Sequence, residues 1–396
     1  MTALEGIRVV DVGLLVQGPQ AAMFLGELGA NVIKVELPHI GDHARWITVA
    51  AGDRRAPFFV GCNRGKRSIT LDLRTNDGRA VFLDLMAETD VVISNFVSGT
   101  MESWGVGYED LRAVNTRLIY AAGSTFGPVG EGAFEKGADL AAQASGGLVH
   151  AMFDGPLGPS AAGVTIADHI ASQNLASAVL AALFVRERTG AGQRVDSSLL
   201  GGQIYAQAAE YASTALTGTD LGTPSQGGHP GIPGIYGIVP TADGAIAIVG
   251  IGIEERPNFF ALIGAPELSE DARFSEFFVS GAVQAELFEK LGKQFIIRTT
   301  DEWTTILDGA DMRWARVRTR SEVADDPAVY ANGYLQRVNH PEWGELALAS
   351  APVHLSETPT VELGPNPELG QHTEEILIEL GRSWDDIAAL RETGAI

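Results

Sequence analysis

IRVVDVGLLVQGPQAAMFLGELGANVIKVE, residues 7–36, is the stretch whose reading decides the fold. Ile7-Arg8-Val9-Val10-Asp11-Val12 reads as a short strand after a turn at Gly6. A helix is expected over 20–28, behind Gly18-Pro19, with proline where a first turn tolerates it. Residues 31–36 read as a second strand. This strand–helix–strand unit opens an α/β domain of the nucleotide-binding kind. The turn Gly13-Leu14-Leu15-Val16-Gln17-Gly18, however, lacks the Gly-x-Gly-x-x-Gly spacing that lets a backbone approach a pyrophosphate. The layout is therefore kept and a nicotinamide dinucleotide is set aside. Working outward, 68–73 alternates as a strand, and 75–88 presents Val81, Phe82, Leu85 and Met86 on one helical face. Residues 91–94 form an apolar strand running into Asn95-Phe96, and 118–122 form another. Strands alternating with helices imply a mostly parallel sheet. Ligands of such sheets gather at strand C-terminal ends, so Val16-Gln17, Asn95-Phe96 and Gly123-Ser124 should share one rim.

A second stretch carries the chemistry: GVTIADHIASQNLASAVLAALFVRERTGAGQRVDSSLL, residues 163–200. Leu175, Val179, Leu180, Leu183 and Phe184 recur at helical spacing, with alanines between them. The helix should begin just after Asp168 and stop at the glycine-rich exit 189–192, behind Arg186 and Arg188. Asp168 at the head of that helix admits two readings. It caps free backbone N–H groups, or it is a carboxylate nucleophile in a small-residue pocket whose backbone N–H groups stabilise an oxyanion.

At 396 residues the chain can bury a large core and form two domains. Its formal charge of −22 argues against nucleic acid and anionic membrane as partners. No leader pattern and no bilayer-spanning apolar run stands out. The single cysteine, Cys62, excludes an internal disulfide and suits a cytoplasmic protein. Against the acidic background, Arg54, Arg55, Arg64, Lys66 and Arg67 crowd together, with Arg45, Arg74 and Arg79 nearby. They read either as a solvated positive face or as a site for a phosphorylated ligand.

Further along, 218–237 is glycine- and proline-rich: an interdomain linker, or a glycine loop that covers a substrate. A strand at 245–249 opens a second region with helical patterns near 255–263, 281–295 and 301–308. Residues 341–345 read as a turn between strand-like pieces, and the tail 372–390 as helix packing back on the first domain. The domains expected are 1–210, 211–330 and a return segment, 331–396. The histidines are scattered without metal-ligand spacing, Gly123-Ser124-Thr125-Phe126-Gly127 places serine one position early for a hydrolase elbow, and no Walker phosphate loop occurs. No metal is expected.

Four motifs, in order, carry a family resemblance: LEGIRVVDVG with VQGP and LGELGANVIKVE; NRGKRSITLDLRT with DVVISNF; AQASGG followed by TIADHIASQ and LAALFVRERTGAGQRVDSSLL; and the close, ELGQHTEEILIELG. Together they make the chain resemble a class III coenzyme A-transferase, of the formyl-CoA and carnitine type. The resemblance implies a large Rossmann-like domain with a mostly parallel sheet, a smaller α+β domain near 225–325, and an interlocked homodimer. It implies transfer of CoA from an acyl-CoA to a carboxylic acid, with the CoA thioester as substrate and no resident cofactor. Asp168 matches the catalytic aspartate, which forms an acyl anhydride and then an aspartyl-CoA thioester. Gln17 matches a glutamine near the reacting carbonyl. Val16, Leu71, Arg74, Asn95, Phe96 and Lys136 match CoA-contacting positions, Asp139 a place where an acid is usual, and Gly227 and Gly228 a mobile glycine loop. An exposed aspartate, with a pKa of about 3.9, would already be ionised at neutral pH. The chain departs from the family at Val97-Ser98-Gly99 and Ser103, where arginines are common. It departs again around Trp314, where Arg313 or Arg316 could meet a carboxylate on the acyl group. The related racemases carry a histidine where this chain has Ala138, which counts against α-carbon isomerisation; CoA binding without turnover is the remaining alternative.

Overall fold

The computed structural model describes residues 1–152, 159–222, 228–277, 279 and 281–396. The chain divides into two compact units. One comprises Met1–Gly146, Val164–Ala206 and Asp326–Ile396, the other Gly147–Gly163 and Gln207–Asp325.

The first unit is built on a six-stranded sheet, β1 (Arg8–Asp11), β2 (Asn31–Glu36), β3 (Arg67–Thr70), β4 (Val91–Ser94), β5 (Ile119–Ser124) and β6 (Arg194–Ser198), ordered β3-β2-β1-β4-β5-β6. Every pairing is parallel; Val10 of β1 stands opposite Ile33 on one side and Val92 on the other. The order reverses between β1 and β4, which opens a crevice at their C-terminal ends. Alternate residues feed two cores, as a pleated strand requires. Val10, Ile33, Ile69 and Val92 meet Phe82, Leu85 and the C-terminal Ile376 and Leu377. Val9, Val32, Val91 and Ile93 meet the first helix (Gln17–Glu27) and the long helix (Ile166–Thr189) through Ala21, Ala22, Leu25, Leu175, Ala176 and Val179.

Both helices begin earlier than the sequence suggests. The first starts at Gln17, with Gly18 and Pro19 inside its opening turn. There the missing proline N–H is one of the groups that lack an intrahelical partner anyway. The long helix starts at Ile166, so Asp168 lies within its first turn. Strand β6 had no clear periodicity. It forms because Gly192 lets the chain leave the long helix against β5, where a Cβ would stand 2.0 Å from the Leu118 carbonyl. The tail forms two helices, Thr373–Glu379 and Trp384–Glu392, broken at Gly381 with φ +81°. Residues 341–343 form the turn of a hairpin, β10 (Leu335–His340) with β11 (Gly344–Ala349), so Gly344 and Glu345, expected in the turn, already belong to the strand.

In the second unit, β7 (Ile235–Pro240), β8 (Ala245–Ile251) and β9 (Trp314–Arg316) make an antiparallel sheet. Helices Arg256–Leu262, Gly281–Phe295 and Thr300–Gly309 cover it with Phe259, Phe260, Phe288, Phe295 and Trp303.

The basic cluster divides into buried and exposed ion pairs. Lys66 and Arg64 are buried, bound to Asp11 at 2.8 Å and Glu27 at 3.2 Å. Arg45 pairs with Glu36 at 2.8 Å, Arg67 with Glu375 at 2.9 Å and Glu379 at 2.7 Å. Arg54 reaches Glu342 at 3.2 Å, Arg55 meets Asp53 at 2.5 Å, and Arg74 meets Asp72 at 2.7 Å. Lys34 is also buried, between Asp11 at 3.3 Å and Asp42 at 3.0 Å. Burial opposes ionisation of Asp11, but Lys34 and Lys66 outweigh it and hold the carboxyl below its usual value. Replacing Asp11 by Ala leaves two buried ammonium groups short of charge. Denaturant unfolding should show a loss of about 3–5 kcal/mol, and a loss under 1 kcal/mol would mean the network is dispensable.

Candidate active site

The loop after β1 is held from below and from the side. Lys34 Nζ donates to the Gly13 carbonyl at 2.8 Å, and Lys66 Nζ to Pro19 O at 2.7 Å. Asp42 accepts the Leu15 N–H at 2.9 Å, which stabilises Leu15 in the left-handed region, φ +64°. At the end of β4, the Asn95 side chain brackets Leu14, accepting its N–H at 2.7 Å and donating to its carbonyl at 2.8 Å. The expected rim is therefore assembled. Gln17 closes it against β5, its side chain filling the space where a Cβ on Gly123 would stand 2.4 Å from Gln17 Oε1. Val16 is buried and precedes the first helix without a side-chain cap, and among the described residues the buried Gln17 Nε2 has no hydrogen-bond partner.

The long helix brings Asp168 to this point. Helix capping is not the role of Asp168. Asp139 Oδ1 accepts the N–H groups of Ala167 at 2.7 Å and Asp168 at 3.2 Å. Asp139 in turn takes Gln143 Nε2 on its other oxygen. The Asp168 carboxylate is left to face the Gln17 backbone N–H. It is not the freely ionised group an exposed aspartate would be: burial first, then the Asp139 charge, push it up to about 7, against the pull of that N–H. Near neutrality it is divided between its two protonation states. Burial holds the adjacent His169 below its usual value, although the Asp139 charge acts in the opposite sense. Burial pushes the Cys62 thiol up to about 12, and Asp168 is among the charges it senses.

Leu71, Arg74 and Phe96 line one cleft of about 220 Å³ with Val12, Leu14 and Ile40. Its walls are mainly apolar, and Phe96 packs edge-on against Trp104 at 5.1 Å. Arg74 is gripped by Asp72 through two hydrogen bonds, at 2.8 and 2.7 Å. Lys136 is exposed and has no ion-pair partner among the described residues. Val97, Ser98 and Gly99 line a narrower crevice with Ser94, Tyr120 and Arg194. Ser103 Oγ is turned back to the Thr100 carbonyl at 2.7 Å. In the second unit, Gly228 sits where a Cβ would be 2.2 Å from the Tyr236 carbonyl, so only glycine fits; Gly227 lies outside the described residues. Arg313 is paired with Glu255 at 3.0 Å and Arg316 with Asp301, which gives both arginines partners within their own unit. Among the described residues, no group of three His, Cys, Asp or Glu could hold a metal ion, and no helix is long and apolar enough to cross a membrane.

A family model described as CoA-transferase family III matches residues 4–373. The chain belongs to that family. It is a CoA-transferase, similar along its length to proteins of several organisms. The succinyl-CoA–D-citramalate CoA-transferase of Chloroflexus aurantiacus is 33% identical over 394 residues, 98% of this chain and 96% of that protein. The formyl-CoA:oxalate CoA-transferase of Streptomyces coelicolor is 31% identical, covering 100% of this chain and 99% of its own. The crystal structure of a CAIB/BAIF family protein from Brucella suis superposes with a TM-score of 0.86 at 31% identity, covering 96% of this chain and 99% of that one.

The two aspartates of this family III transferase should separate in stability measurements. Asp139→Ala removes a helix cap and should lower unfolding free energy by about 1–2 kcal/mol. Asp168→Asn removes a poorly solvated carboxylate and should leave stability at pH 8 equal or higher. The reverse order in urea titrations would return the capping role to Asp168.

Proposed function

We propose that the chain transfers CoA from an acyl-CoA to a carboxylic acid through covalent intermediates on Asp168. In the first step the Asp168 carboxylate attacks the thioester carbonyl, the C–S bond breaks, and CoA leaves as thiolate from an acyl–aspartyl anhydride. The thiolate then attacks the aspartyl carbonyl, releasing the donor acid and leaving an aspartyl-CoA thioester. The acceptor carboxylate repeats the sequence in reverse and departs as its CoA thioester, restoring Asp168. One observation carries this reading. Asp168 is relieved of capping duty by Asp139 and faces the uncapped start of the first helix, where the Gln17 N–H is directed at it and Gln17 Nε2 is unpaired. Donors so placed suit a developing oxyanion, each worth roughly 3–4 kcal/mol.

The parallel sheet then acts as a Rossmann-like cradle. CoA lies along the cleft of Leu71, Arg74 and Phe96, near Val16 and Asn95, with Lys136 as a free cation. Succinyl-CoA and dicarboxylic acids figure in the names of several relatives, such as the succinyl-CoA:glutarate CoA-transferase of Mus musculus. That favours a dicarboxylic acceptor here. Exposed apolar side chains, Phe184 at 59%, Tyr205 at 77% and Leu216 at 87%, support the interlocked homodimer, which would cover them. A buried, undisulfided Cys62 suits the cytoplasm.

Asp168→Ala should lower CoA exchange, followed by mass spectrometry over a panel of acyl-CoAs and dicarboxylic acids, by at least about a thousandfold. Full exchange by that variant would end the mechanism. The nucleophile acts ionised, so the rate should rise with pH and level off above about 7. Removing the neighbouring negative charge lowers the Asp168 pKa, so Asp139→Asn should move that limb to lower pH. An unmoved limb would assign it to another group.

A further inference from the structure

His169, the residue after the reactive aspartate, is committed at both ring nitrogens. Its Nδ1 lies 2.6 Å from Gln20 Oε1, and its Nε2 lies 3.2 Å from Thr165 Oγ1. Gln20 Oε1 also accepts from Ser172 Oγ at 2.8 Å. An amide oxygen can only accept, so His169 Nδ1 carries the proton and Nε2 takes the Thr165 hydroxyl. Both ring nitrogens are thus hydrogen-bonded within the two helices. Thr165 stands at the cap position of the long helix yet makes no side-chain cap bond. Its hydroxyl serves His169, and Asp139 does the capping instead.

The position of this cluster matters. Gln20 lies one turn beyond Gln17 on the same side of the first helix. His169 and Ser172 are likewise one turn apart on the long helix. The two helices otherwise touch through Ala21, Ala22, Leu25, Leu175, Ala176 and Val179. Alanine-rich surfaces bring helix axes close but resist sliding weakly. A slip of one residue shifts a helix by about 1.5 Å, enough to take a carboxylate off its N–H donor.

We propose that His169 is a positioning residue for CoA transfer: through Gln20 it fixes the first turn of the long helix against the first helix, and so keeps the Asp168 carboxylate aligned with the Gln17 N–H. The proposal rests on Asp168 as the nucleophile. It predicts that alignment, rather than stability or CoA affinity, depends on the Nδ1–Gln20 bond.

The test uses two substitutions of similar size. His169→Gln puts its amide near the former Nε2 and withdraws the donor from Gln20, whereas His169→Asn puts an amide where Nδ1 stood. With the full-length enzyme, His169→Gln should lower kcat about 10- to 100-fold, as a misplaced reacting group does, with KM for acyl-CoA within about twofold. His169→Asn should recover most of that loss. Gln20→Ala should reproduce the His169→Gln defect, and combining the two should add little. An undiminished kcat in His169→Gln, or equal losses in the Asn and Gln variants, would overturn the proposal. Asp168→Ala run in parallel separates the two failures. If it retains exchange, the nucleophile assignment falls. If it is inactive while the His169 variants turn over normally, only the positioning role falls.

Discussion

Two lysines and two aspartates buried beneath the loop after β1 set the geometry on which everything else at the rim depends. Lys34, Lys66, Asp11 and Asp42 are fully sequestered, and their charges balance. Burying such groups is costly, and apolar replacements of the same volume often fold as well. Stability alone therefore does not account for them. Each also binds backbone at a defined place: Gly13 O, Pro19 O, and the N–H groups of Gly13, Leu15 and Ala44. A hydrophobic core would fill the same space without fixing those five points. With them fixed, Leu15 is held at a positive φ, and the first helix starts at Gln17 with no side-chain cap from Val16 and with the Gln17 N–H facing Asp168. The positive end of the helix dipole is thus left for a ligand or a carboxylate.

The two acids of the site divide their work by environment. Asp139 receives backbone N–H groups and a glutamine amide, and is spent on structure. Burial and the like charge of Asp139 together raise the pKa of Asp168 to about 7, against the pull of its one backbone donor. A carboxylate of ordinary acidity is always ionised but weakly nucleophilic because it is well solvated. Raising its pKa makes the ionised form more reactive while reducing its population. A value near the working pH is where the product of the two is largest. The freely ionised aspartate expected from the sequence would have been the poorer nucleophile. The correction therefore strengthens the chemical case for Asp168.

Sequence patterns revealed most of the frame and little of the site's wiring. Strands β1, β2 and β4 are legible because strands buried on both faces read as unbroken apolar runs, and the helix Asn76–Ala87 because Val81, Phe82, Leu85 and Met86 recur on one face. Strand β6, with alternating Arg194 and Asp196, looks like surface, and is a strand only because Gly192 lets it lie beside β5. The long helix starts at Ile166, ahead of where its own residues signal, because its cap comes from Asp139, distant in sequence. Asp139 itself was marked by family resemblance, without its function. The His169–Gln20 bond leaves no trace in spacing at all. It joins two helices, distant in sequence, that pack side by side on one face of the sheet.

The basic cluster shows how pairing in space changes what a run of charges along the chain amounts to. Arg45, Arg55, Arg64, Lys66, Arg67 and Arg74 look like a polyanion site when counted along the chain. Each meets a carboxylate in space, and two of them meet it out of reach of solvent. An isolated count records charge without its partner, whereas a field at the rim depends on what remains after pairing. Around the cleft of Leu71 and Phe96, what remains is small: Arg74 is tied to Asp72 and Arg45 to Glu36.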